Sequence, residues 1–230
     1  MKKIIVLLSL IGLSASVFGV DFKLADKQAA NKAGYEADLA YVESLTGIAE
    51  GETYIKDETL EQYKIVTICN IKLSAFHFGK DAAFCEKARA EAKELFYANV
   101  AKLSNRSVFQ LAMRVNDYQL AASKFGELIK VQSAPEVINN AVALYKNGAI
   151  SKDVAVAALM EASVKEIKVS WYASLSKAVA NIPTRGLDGK AFMSREQKKE
   201  FYGNFIELNS VTAESADFLG ACVTQFNLVK

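Results

Sequence analysis

Apolar side chains recur at every third or fourth position along most of this chain, and this spacing is the strongest constraint on its fold. A helix gathers such positions on one face, whereas a half-buried strand needs apolar residues at every second position. Two prolines and twelve glycines in 230 residues are too few for the turns of a many-stranded barrel. The sequence therefore predicts an all-α fold, a single-domain bundle of about seven or eight mostly antiparallel helices.

Local capping signals divide the pattern into helices. The first is expected from Asp21 to Ile48, and later ones are expected to start at Asp57, Asp81, Ser107, Pro135, Ser151, Ser194 and Thr212. Gly148 is expected to end the helix that begins at Pro135, and Ser194 with Gln197 forms a capping box. The loop at 183–194 is irregular in sequence and marks a weak candidate domain boundary, as does Ser133–Pro135.

One segment, 63–73, is rich in isoleucine, valine and threonine, which taken alone favours a strand. Polar residues nevertheless recur there at steps of three and four: Glu61, Lys64, Thr67, Asn70 and Ser74. We therefore predict a helix from Asp57 to Phe78 that ends at Gly79 and turns this polar stripe to solvent.

Two of the predicted helices are long. The spacing favours one uninterrupted helix from Ser107 to Ile129. A second long helix is expected from Ser151, because its apolar residues follow steps of four and three with little interruption: Met160, Val164, Ile167, Trp171, Leu175 and Ala178.

The start of the chain has the layout of a secretory signal, with Lys2 and Lys3 before an apolar run at 4–13 and small residues after it. We predict a cleaved signal peptide at 1–19 and a helical-bundle domain at 20–230. An uncleaved membrane anchor is the alternative, although the apolar stretch is short and broken by serines. No later segment approaches about eighteen uninterrupted apolar residues, so we expect no membrane span in the mature chain and a periplasmic or secreted location.

The charge balance argues against nucleic-acid binding. Twenty-eight basic and 26 acidic residues give a net charge of +2, and removal of the leader lysines would make the chain neutral. Lysine is scattered among glutamate and alanine, without a basic run of the kind that displaces counterions from phosphates.

Three cysteines, Cys69, Cys85 and Cys222, would enter an oxidising compartment if the chain is exported. Cys69 and Cys85 are the first candidates for a disulfide bridge. On two antiparallel helices turning at Gly79 their axial offset is roughly 6 Å, near the limit for bridged residues. A bridge that involves Cys222 and three reduced thiols are the alternatives.

The residues needed for common catalytic or metal sites are scarce. His77 is the single histidine, which excludes two-histidine zinc sites, and a Ser-His-Asp triad or a Cys85–His77 pair would have to use it. We expect His77 to pack or cap a helix end and predict no cofactor. Candidate acid-base carboxylates are expected on solvated faces: Asp57, Glu58, Glu61, Glu91, Glu94, Glu196 and Glu200. A set of aromatic residues is expected in the core rather than in a binding groove: Trp171, Phe192, Phe201, Tyr202 and Phe205.

These features favour a non-enzymatic, exported helical protein that acts by binding another protein in the cell envelope. A periplasmic carrier of a small apolar or amphipathic ligand, held between helices, is the alternative. An enzyme that uses a carboxylate pair ranks below both.

Overall fold

Helices form the regular structure of the computed structural model, which describes residues 32–53, 55–75, 81–210 and 215–230. The described residues contain ten α-helices: α1 (Lys32–Ser44), α2 (Leu60–Leu73), α3 (Ala82–Asn99), α4 (Asn105–Arg114), α5 (Tyr118–Leu128), α6 (Ala134–Lys146), α7 (Lys152–Ser163), α8 (Tyr172–Ala180), α9 (Arg195–Ser210) and α10 (Ala216–Val229). Short 3-10 turns lie at Val100–Lys102 and Val169–Trp171. The all-helical prediction is confirmed for these residues, with ten helices rather than seven or eight.

Several predictions fall on residues outside the described ranges. These are the signal peptide at 1–19, the helix start at Asp21, the helix end at Phe78 and Gly79, the position of His77 and the helix start at Thr212. Within the described ranges, no helix is both long and apolar enough to cross a bilayer.

Contacts group the chain into two compact units, which we call the N-terminal unit (Met1–Lys124) and the C-terminal unit (Phe125–Lys230). The division falls inside α5. Whether the two units make up one domain, as the sequence predicts, stays a prediction.

In the N-terminal unit, α2 packs against α1, α3 and α4. The predicted helix is confirmed at Leu60–Leu73, but its start differs from the prediction. Thr59 is the N-cap and forms a capping box with Gln62. Asp57 lies outside the helix with φ at 61°, a left-handed conformation that turns the incoming chain and is incompatible with a cap.

The polar stripe of α2 does not all face solvent, which corrects the prediction. Thr67 and Asn70 are only 0% and 2% exposed. Arg114 of α4 donates one guanidinium hydrogen bond to Asn70 Oδ1 and a second to Ser74 Oγ, at 3.0 Å. The period of the stripe indicated the helix correctly, although two of its five polar residues, Asn70 and Ser74, bond to Arg114 of α4.

The predicted helix from Ser107 to Ile129 is two helices, because the chain turns at Asn116. Asn116 has φ at 62°, its N–H donates to Met113 O, and the Asp117 N–H donates to Ala112 O at 2.8 Å. This is the Schellman arrangement that ends a helix at a left-handed residue. Asp117 then caps α5 by accepting a hydrogen bond from the Leu120 N–H at 3.1 Å.

In the C-terminal unit, α6 packs against α7 and α8, and α9 packs against α7 and α10. The sequence signals at these helix ends are confirmed: Pro135 lies in the first turn of α6, Gly148 ends it at φ 70°, and Ser151 caps α7. Ser133 and Glu136 add a capping box at α6 that was not predicted from the sequence. Aromatic rings fill the core of this unit. The ring centroids of Phe205 lie 4.8 Å from Phe201 and 5.9 Å from Phe218.

The long helix predicted from Ser151 is wrong, because the chain leaves the helix after Ser163 and re-enters it at Tyr172. Three β-branched residues of low helix propensity lie in this break: Val164, Ile167 and Val169. Lys165 anchors the break by donating hydrogen bonds to the carbonyls of Ile129 and Gln132, which follow the end of α5. Burial lowers the pKa of Lys165.

The predicted irregular loop at 183–194 is confirmed, and it is held at several points. The Leu187 N–H donates to the hydroxyl of Tyr145 at 2.5 Å, and Lys152 lies 3.4 Å from Asp188. Side chains of α6 and α7 therefore fix the position of this loop within the C-terminal unit.

The turn at Asn116 predicts a specific pattern of stability changes. Asn116→Val should lower the free energy of unfolding by about 1–2 kcal/mol, because a β-branched residue is strained at positive φ. Asn116→Gly should stay within about 0.5 kcal/mol of the original chain, because glycine adopts this conformation freely. Urea unfolding curves give both values. Equal losses in the two variants would instead assign the effect to the Tyr118 hydroxyl, which donates to the Asn116 side chain.

Candidate functional site

The cysteines do not form a disulfide bridge. All three are free, so the predicted Cys69–Cys85 bridge and the alternative bridge through Cys222 are both contradicted. Cys69 and Cys222 are buried, and Cys85 is half-buried.

The register of α2 against α3 explains why the predicted bridge fails. The Cys69 thiol donates to Ala92 O at 3.6 Å, and the Cys85 thiol donates to Ala75 O at 3.0 Å. Cys69 thus lies opposite Ala92, which is seven positions from Cys85, and Cys85 lies opposite Ala75, which is six positions from Cys69. At about 1.5 Å per residue the two cysteines are offset along the helix axes by about 9–10 Å. Bridged Cα atoms lie at most about 6.8 Å apart, so the two thiols cannot meet.

Burial also makes two of the thiols poor nucleophiles. It raises the pKa of the Cys69 thiol to about 12, and it raises the pKa of the Cys222 thiol to about 12 as well. A thiol must ionise to attack or to bind a metal, so both side chains act as small apolar core residues.

The candidate carboxylates have structural partners or face solvent. Glu91 pairs with Lys72, whose hydrogen bond lowers the pKa of Glu91, and Thr53 donates a hydrogen bond to Glu58. Burial raises the pKa of Glu58. The remaining candidates outside the groove described below are exposed: Asp57, Glu94, Glu196 and Glu200. In the described part of the chain, no group of three or more histidine, cysteine, aspartate or glutamate residues is arranged to hold a metal ion.

The aromatic candidates are core residues for the most part. Phe192, Phe201 and Phe205 are buried, whereas Trp171 and Tyr202 are half-buried. Lys168 lies over the Trp171 ring at 5.7 Å from its centroid, so this indole already has a cationic neighbour.

The candidate site is an apolar groove on the line where α2 packs against α3, which we call the α2–α3 seam. At one end of the seam α1 covers it. Residues of α1 pack there in one apolar cluster with residues of α2 and α3: Tyr35, Val42, Ile71, Ala75 and Ala88. The Tyr35 and Phe84 rings lie 5.2 Å apart at this end.

At the other end of the seam α1 has ended, and a groove of about 480 Å³ remains open to solvent. Four aliphatic residues line it: Leu60, Ile65, Ile68 and Leu95. Ile68 also packs against the cluster beneath α1, so the groove is the continuation of the surface on which α1 lies. Leu60 and Ile68 are two turns apart on α2, which makes the groove about 12 Å long.

Polar contacts border the groove beside its middle and at its Leu60 end. Lys64 Nζ donates to the carbonyl oxygen of Glu43, in the last turn of α1, at 2.7 Å. At the far end Lys102 Nζ lies 2.7 Å from Glu61 Oε1, and the third polar lining residue, Asn99, donates to Leu95 O. An aliphatic floor with a polar rim suits binding, because the floor supplies affinity and the rim supplies orientation.

Sequence reasoning missed this groove. Lys64 and Glu61 were assigned to a solvated stripe, and Leu60, Ile65 and Ile68 carry no motif. The uncovered surface follows from where α1 ends: its last turn, at Glu43, contacts Lys64, and Leu60 lies one turn of α2 beyond that contact.

Comparisons with known proteins give no relative from which a function can be carried over. No protein-family model, no curated protein and no solved structure matches the chain.

The burial of the thiols predicts their reactivity. In the native protein an aromatic disulfide reagent should label Cys85 and leave Cys69 and Cys222 unlabelled, because the latter two are buried and un-ionised at neutral pH. All three should react in denaturant. Peptide mass spectrometry after labelling identifies the sites, and Cys85→Ser should abolish native labelling. Rapid native labelling of Cys69 would contradict the α2–α3 register.

Proposed function

We propose that this chain is an exported, non-catalytic protein that binds an amphipathic helix of another envelope protein in the groove on the α2–α3 seam. The observation that carries the proposal is that the apolar seam covered by α1 continues uncovered beyond the end of α1. Both α2 and α3 contribute aliphatic residues to its lining. A helix already lies on the adjoining stretch of the same seam, so the surface has the shape and spacing that a helix needs.

A small amphipathic ligand is the second candidate. The groove volume of about 480 Å³ falls inside the usual range for small-molecule sites. Such sites bury most of the ligand surface, however, whereas this groove is open along its length. The open shape favours a helix over a small molecule.

Export rests on the leader. Its basic start, short apolar run and small residues before Val20 support a cleaved signal peptide, and with it a periplasmic or secreted location. The absence of a spanning helix in the described residues is consistent with a mature chain that has no membrane span.

Photocrosslinking from the groove tests the proposed binding. When a photoreactive residue replaces Leu95 and intact cell envelopes are irradiated, the protein should form one discrete adduct with another protein. Mass spectrometry should map the adduct to a segment with aliphatic residues at steps of three and four. Leu60→Gln should reduce the adduct about tenfold, because it removes the apolar contact that one leucine makes with the bound helix.

The control carries the same photoreactive residue at Val154, an apolar helix residue of the C-terminal unit that is 49% exposed. An identical adduct from Val154 would show that the capture does not depend on the groove. No adduct from Leu95, with a small molecule retained by the protein in native mass spectrometry, would favour the carrier alternative over the proposal.

Export makes a separate prediction. The protein recovered from a bacterial periplasm or medium should lack residues 1–19 and begin at Val20, as intact mass measurement would show. Gly19→Leu should leave the leader attached, because signal peptidase requires a small residue before the cut. A full-length product confined to the cytosol would contradict the export proposal and leave the groove proposal standing.

A further inference from the structure

Lys64 stands out among the residues that line the groove. It lies on the groove face of α2, half-buried, and its ammonium group donates to the carbonyl oxygen of Glu43 at 2.7 Å. An ammonium group carries three N–H donors, so this contact leaves two for another acceptor. That carbonyl lies at the C-terminal end of α1, where the helix dipole supplies only part of a negative charge.

The other charged residue of the lining is already neutralised. Glu61 pairs with Lys102 at 2.7 Å, and the side-chain amide of Asn99 donates a hydrogen bond to Leu95 O. Among the described residues, no carboxylate lies within ion-pair distance of Lys64. The groove therefore offers an occupant an aliphatic floor and one positive charge that has no acidic partner.

We propose that the helix bound in the groove carries an aspartate or glutamate that pairs with Lys64. This inference rests on the proposed function. The aliphatic face of the bound helix would lie on Leu60, Ile68 and Leu95, and its acidic side chain would point toward the junction with α1. Docking removes further water from the Lys64 ammonium group. A carboxylate on the bound helix offsets that desolvation cost better than an amide or a hydroxyl does.

The length of the groove sets the spacing of the contacts. About 12 Å corresponds to two helical turns, which accommodates apolar anchors at positions i, i+4 and i+7 of the bound helix. Lys64 lies between Leu60 and Ile68 on α2, so the acidic residue belongs on the turn between the outer anchors. A lysine or arginine at that position would meet like charge and weaken binding.

Matched synthetic peptides test the charge preference. One alanine-rich helical peptide carries leucine at the three anchor positions and a glutamate on the middle turn, and its twin carries glutamine instead. Fluorescence anisotropy with the full mature chain should show about fivefold tighter binding of the glutamate peptide at low salt, a difference that shrinks as salt is raised.

Three variants assign the effect to Lys64. Lys64→Met should make the two peptides bind equally, and Lys64→Arg should restore the preference for glutamate. Lys199→Met, which removes an exposed lysine from α9, should leave the preference unchanged. Circular dichroism melts verify that each variant keeps the helix content and melting temperature of the original chain, so a loss of preference is not a loss of structure.

The outcomes separate this inference from the proposed function. Equal binding of both peptides to the original chain, or a preference that survives Lys64→Met, overturns the acidic partner while the groove remains a helix site. Failure of both peptides to bind, together with no Leu95 crosslink, overturns the groove function itself. Tighter binding of the glutamate peptide that depends on Lys64 and on salt supports the inference.

Discussion

The antiparallel packing of α2 on α3 is the interaction on which the N-terminal unit depends. It buries Cys69 against Ala92, sets the register that keeps the thiols of Cys69 and Cys85 apart, and provides the surface on which α1 lies. The groove is a direct consequence of the same packing, because the seam runs farther than α1 does. One helix pair thus determines the core, the cysteine chemistry and the candidate binding surface of this unit.

The sequence predicted helix type and several of the helix ends, because these depend on local chemistry. Ser194 with Gln197 and Ser151 cap helices where their side chains reach backbone N–H groups a few residues away. The turn at Asn116 and the break before Tyr172 were missed for the opposite reason. Apolar spacing persists across both interruptions, since each side of a turn still packs on the core, so periodicity alone cannot locate them. The local signal for the turn is Asn116 followed by the capping residue Asp117, and in the structure this signal overrides the apolar spacing.

The sequence did not predict the groove, because the groove is a surface that the neighbouring helix leaves uncovered. Leu60, Ile68 and Leu95 have the spacing of ordinary core residues, and only the point where α1 ends and the register of α2 on α3 leave this surface open to solvent. The polar stripe of α2 illustrates the same limit. Lys64 borders the groove and Asn70 binds Arg114, yet both occupy equivalent steps of one helical pattern. The period of the polar residues indicates the secondary structure, whereas the role of each residue depends on the helix that packs beside it.

An open apolar groove is costly in water, and its lysines reduce that cost. Lysine side chains place their aliphatic stems along apolar surface while the ammonium group stays solvated or bonded. Lys64 bonds to Glu43 beside the middle of the groove, and Lys102 pairs with Glu61 at its Leu60 end. An arriving helix can bond to the remaining donors of Lys64 without breaking its contact with Glu43. The two lysines therefore lower the cost of the empty groove and do not hinder the binding of a helix.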